Sequence, residues 1–150
     1  MSWPLWARLW SPLADSSSFR EAWQALGIEG DVDALQAGFI GTFHYGAPLP
    51  EVPLLLHHTL NLPGDSAREE WMRVMSWLNL KFGEVRLPPD HLAIACDVLA
   101  VVEQRGEALI REELVRRYLQ PWCLIASKRL TATGSALLAL PSRFAAELAG

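Results

Sequence analysis

Leu87-Pro88-Pro89-Asp90-His91-Leu92-Ala93-Ile94-Ala95-Cys96-Asp97-Val98-Leu99 is the stretch on which the reading of this 150-residue chain turns. Proline suits the first turn of a helix, because its missing N–H has no intrahelical partner to lose there. The two prolines therefore predict a helix that starts within about two residues of Pro89 and carries Asp90 and His91 on its first turn. Beyond them Leu92, Cys96, Leu99 and Val102 keep helical spacing until Gly106, so one apolar stripe faces a core. Asp90 would stand at the positive end of the helix dipole, which keeps a carboxylate ionised. Two roles stay open for it: a plain helix cap, or a charge held ready for a partner.

The same period runs outward in both directions. Trp6, Leu9 and Leu13 share a face, Ser16–Ser18 offers a cap for a helix over Phe19–Leu26, and Gly27 ends it. Asp31 caps Val32–Tyr45, with Leu35, Phe39 and Phe43 in line. Pro48, Pro50 and Pro53 forbid regular structure, and a short helix follows near Leu54–Leu60. Ser66 with Glu69 has the form of a capping box for a helix carrying Trp71, Met75 and Leu78. Toward the C-terminus, Leu109 and Leu114 enter a helix that Pro121 kinks or divides, Trp122–Thr133 continues it, Gly134 breaks it, and a last helix ends near Leu148. Every long apolar pattern has a period near 3.6, so the fold class is all-α: a single-domain helical bundle over residues 1–150 with proline-marked hinge loops.

Bulk properties narrow the function. The chain is 51% hydrophobic and 20% charged, which describes a folded domain large enough for a real core. Its net charge of -4, with only Arg116-Arg117 as a basic pair, argues against nucleic acid as partner. Cys96 and Cys123 lie in apolar helical patterns without metal spacing, so they read as buried small hydrophobes in a reducing, cytoplasmic setting. Trp3–Trp10 lacks a basic leader and includes Arg8, so it does not read as a signal peptide. No apolar run is long enough for a membrane span. Phosphate loops, dinucleotide fingerprints and nucleophile elbows are absent from the sequence. His57 and His58, being adjacent, diverge on a helix and make a poor metal pair; they read as surface or groove-lining histidines. His44 reads as helix-end packing.

Pro88-Pro89-Asp90-His91-Leu92, followed by Leu119-Gln120-Pro121-Trp122, resembles the paired signature of the TorD/DmsD family of cytoplasmic chaperones for molybdenum-containing oxidoreductases exported by the twin-arginine route. Phe39-Ile40-Gly41 through Pro53 resembles that family's earlier proline-containing connection, so the likeness spans about Leu35 to Leu130. Leu87 replaces the glutamate of the compact first motif, with Glu84 one short loop away. Tyr118 replaces the histidine of the second, and Leu54-Leu55-Leu56-His57 stands where an aromatic Tyr-Glu-Ser segment is common. The chain is shorter than most members.

The resemblance implies a non-enzyme that binds the cofactor-free catalytic subunit of a molybdopterin oxidoreductase, or its twin-arginine signal peptide, and assists cofactor insertion before export. It implies no cofactor or metal of the chaperone's own, and either a monomer or a homodimer. Carboxylates hold guanidinium groups bidentately and a groove between helices receives an apolar run. The expected client-binding residues are accordingly Asp90, then Glu84, then Asp97 (two turns after Asp90 and so near the same face), with His91, Pro89, Pro121 and Trp122 around them. Trp122 reads either as a groove wall or as a core anchor. Two other classes stand beside this one: a helical assembly adaptor that grips the mature enzyme, and a small nucleotide-binding protein using Asp90-His91.

Overall fold

The computed structural model describes residues 2–81 and 86–150. Helices α1 (Trp3–Trp10), α2 (Ser16–Ala25) and α3 (Val32–Phe39) form the first half, the last of them running into a π-helical turn at Ile40–His44. After the proline-rich connection come α4 (Leu56–Leu60), α5 (Gly64–Trp77) and α6 (Leu92–Gln104). The chain closes with α7 (Ala108–Leu114), a second π-helical turn at Val115–Leu119, α8 (Gln120–Ala132), a 3₁₀ turn at Ala136–Leu138 and α9 (Ala139–Ala149). No β-strand occurs among the described residues, and the all-α expectation holds.

Helix α6 is the axis of the bundle, and α1 packs along it. Its stripe is fully realised: Leu92, Cys96, Leu99 and Val102 are all inaccessible to solvent. Around it the aromatic side chains interlock through Trp10, whose ring centroid lies 5.3 Å from Phe43, 5.5 Å from Trp122 and 5.9 Å from Phe144, each edge to face. Such pairs add roughly 0.5–1.5 kcal/mol each beyond the burial of their area. Thus α1, the first π-turn, α8 and α9 are tied through one tryptophan. Leu13, by contrast, lies past the end of α1 and is 60% exposed, so it does not share the buried face of Trp6 and Leu9.

Local sequence explains most helix ends, with three corrections. Asp15, not the serine cluster, caps α2 by accepting from the Ser18 N–H at 2.8 Å. Asp31 caps α3 as expected. At α5 the helix begins at Gly64, two residues before Ser66, so no capping box forms; the Ser66 N–H goes to Asp65 Oδ1 at 2.9 Å. The third concerns α6, which begins at Leu92: Pro88, Pro89 and Asp90 precede it, and His91 is the cap, its Nδ1 accepting from the Ala93 N–H at 3.1 Å. The prolines therefore build a turn ahead of the helix, closed by the His91 N–H on Pro88 O at 3.0 Å.

Pro121 divides its helix by a definite device. Its nitrogen has no hydrogen to give the carbonyl four residues back, which an uninterrupted α-helix would leave strained. The π-turn just before it, in which the Gln120 N–H reaches back five residues to Val115 O, inserts the extra residue that lets α8 start afresh with proline in its first turn.

Candidate functional site

The two signature stretches converge on one segment, Pro53–Thr59. The turn holding Asp90 pairs with it as a single antiparallel bridge: the Leu56 N–H donates to Asp90 O at 3.0 Å and the Leu92 N–H to Leu54 O at 2.9 Å. Asp90 Oδ2 accepts the His57 backbone N–H at 3.0 Å and lies 2.5 Å from His57 Nδ1. As an ionised carboxylate only accepts, the proton of that contact sits on Nδ1. From the other side the indole N–H of Trp122 donates to Pro53 O at 3.0 Å, beside the Thr59 hydroxyl at 2.5 Å. The proline segment, which has no strand or helix of its own to satisfy its carbonyls, is fastened by both motifs.

Asp90 has no solvent-accessible surface, and its Oδ1 has no hydrogen-bond partner among the described residues. An incoming guanidinium therefore meets His57 and the surrounding wall before it meets this carboxylate, and the expectation of a surface charge gives way. Trp122 is equally inaccessible, a core anchor and not a groove wall. Pro89 and Pro121 are half-buried where they turn the chain. His91 is buried, and burial first, then the nearby His44, pushes its pKa down to about 4 against the opposing pull of Asp90. Asp97 is exposed on α6 and opens into a separate hollow with Arg8 and Leu87; partial burial raises its pKa. It does not share a face with Asp90, because Asp90 is not part of the helix. Glu84 lies outside the described residues.

Above the buried pair lies an open cleft of about 330 Å³ whose walls include His44, Tyr45, Leu49, Leu55, Leu87 and His91. Tyr45 and Leu49, at its mouth, are 70% and 45% exposed. His44 is held neutral, its pKa pushed down to about 4 by burial. His58, also on the wall, has its pKa lowered by burial and by the adjoining His57, the two rings lying 4.1 Å apart. The cleft is thus an apolar trough edged by uncharged imidazoles, suited to an apolar peptide segment with hydrogen-bonding backbone. His57, its floor post, had been read only as a surface or groove residue. The signal that would have marked it is chemical: a buried aspartate needs a donor, and His57 follows the proline segment at a helix start.

Comparison with known proteins adds the fold. The chain is similar to a protein from Archaeoglobus fulgidus whose crystal structure was assigned to redox enzyme maturation. The TM-score is 0.68 at 17% identity, covering 99% of this chain and 92% of the other. No protein-family model and no curated protein matches. At that identity the likeness concerns the fold, helix for helix over nearly the whole length. Among the described residues no helix is long and apolar enough to cross a membrane.

Proposed function

We propose that this protein is a maturation chaperone for a redox enzyme, and that the trough between the proline segment and the Pro88–His91 turn receives its client. The observation that carries the reading is the apolar trough itself, open at Tyr45 and Leu49 and fastened from beneath by Asp90 and Trp122. The end-to-end fold likeness to the Archaeoglobus protein supports the same reading. In finer detail, the client is the cofactor-free catalytic subunit of a molybdenum-containing oxidoreductase, and the bound segment is its twin-arginine leader. The apolar run of the leader lies in the trough, while its paired arginines face the acidic rim supplied by Asp97 and, in sequence, Glu84. Asp90 and His91 shape the trough and do not themselves hold the guanidinium groups.

Titration of the chaperone with a synthetic twin-arginine leader, and with the same leader carrying glutamine at both arginines, tests this. Binding that weakens at least about tenfold on the replacement supports signal recognition. Equal binding of the two peptides, which the burial of Asp90 makes the natural signature of an assembly adaptor, places the grip on apolar surface alone. No binding of either peptide would remove the leader as the ligand.

A further inference from the structure

On the far side of His57 from Asp90, the chain presents a second polar constellation that the trough does not use. We propose that His57, Arg68 and the first turn of α5 form a binding site for hydrogen phosphate. Three observations meet at Gly64. A Cβ built there would lie 3.1 Å from His57 Nε2, 3.0 Å from His57 Cδ2 and 3.3 Å from Arg68 Nη1, so both side chains point at one small space that only glycine leaves open. His57 is nine-tenths buried and its Nδ1 is committed to Asp90, yet Nε2 has no partner among the described residues. Arg68, half-buried, likewise forms no ion pair or hydrogen bond among them.

The helix end adds to these side chains. Helix α5 is 14 residues long and its N-cap is Pro63, which supplies no side-chain acceptor. The amides of Gly64 and Asp65 therefore remain available at its positive end. The carboxylate of the same turn, Asp65, is occupied by the Ser66 N–H.

The hydrogen-bonding pattern selects the ligand. With its proton on Nδ1, His57 offers a lone pair at Nε2 and needs an O–H donor. Arg68 and the helix amides need anionic oxygen. Inorganic phosphate keeps at least one O–H at neutral pH and carries anionic oxygens, meeting both demands. Sulfate has the same shape and no O–H; acetate has neither the shape nor the hydrogen.

Isothermal titration of the whole protein at pH 7 with inorganic phosphate, sulfate and acetate tests the site, with the Gly64 amide followed by NMR. Phosphate is expected to bind at least about tenfold tighter than sulfate, and to shift the Gly64 amide. Arg68→Gln should weaken phosphate about tenfold or more, and Gly64→Ala should abolish binding while leaving the helical circular dichroism unchanged. Sulfate or acetate binding as tightly as phosphate would overturn the proposal. So would phosphate binding that survives both variants, or an absence of phosphate binding by the wild type.

Discussion

Asp90 Oδ2 and His57 Nδ1 lie 2.5 Å apart in the interior, joining the turn before α6 to the start of α4 across 33 residues of sequence. The same oxygen holds the His57 backbone N–H, so one carboxylate orients both the ring and the chain of its partner. This pair makes the proline segment a fixed wall instead of a loose loop, and several outcomes depend on it.

Replacing Asp90 should damage the fold before it damages any charge-dependent contact. Asp90→Ala leaves two His57 donors unsatisfied inside the protein, at a cost of about 3 kcal/mol, the scale for breaking a buried pair. Asp90→Asn keeps an acceptor for the backbone N–H and should lose about half as much. Urea unfolding of the three proteins checks the order; midpoints that coincide would show that the pair holds nothing.

Trp122 offers a separable test of the other fastening. Trp122→Phe keeps most of the ring packing against Trp10 and Phe144 but removes the donor to Pro53 O, so about 1 kcal/mol should be lost. Trp122→Ala also empties the core and should lose about 3–5 kcal/mol. Thermal melting that ranks the two variants equally would mean the indole body contributes nothing beyond its hydrogen bond.

Acid should loosen the protein before its carboxylates titrate. His44 and His91 have folded pKa values near 4 against an ordinary 6.5, both depressed chiefly by burial. Above 6.5 neither state takes up a proton. Between 6.5 and 4 the unfolded chain binds protons that the folded chain refuses, so stability falls as pH falls. The melting temperature should drop from pH 7 to pH 5, and His91→Asn, which keeps a capping side chain but cannot titrate, should flatten that slope. A slope identical in wild type and variant would remove His91 from the account.

The helices were legible because burial writes a 3.6-residue period: the stripe Leu92–Val102 and the row Trp71, Met75 and Leu78 lie where that period puts them. Their starts were less legible. A proline pair reads equally well as a first helical turn or as the turn ahead of it, and only the bridge to Leu54–Leu56, which depends on distant sequence, decides for the latter. The π-turn before Pro121 has no composition of its own. At the site, the proline-marked stretches were visible as exceptions to a regular bundle, and they do meet. What the sequence hid was the direction of their side chains. Asp90 turned inward looks the same on paper as Asp90 turned outward until His57 is placed beside it.

Exposed side chains at the mouth of the trough should matter for binding and little for folding. Leu49→Glu and Tyr45→Ala alter surface already open to water, so the melting temperature should move by no more than about 2 °C, whereas affinity for a twin-arginine leader should fall about tenfold. A variant that binds like the wild type would put the apolar run elsewhere.

The central claim is that the trough walled by His44, Tyr45, Leu49, Leu55, Leu87 and His91 receives the client. A heteronuclear NMR titration of the labelled protein with a twin-arginine leader peptide measures this most directly. The account predicts saturable shifts concentrated at those residues, with the amides of α7 and α9 unmoved. Shifts confined to α7–α9, or none at saturating peptide, would contradict it.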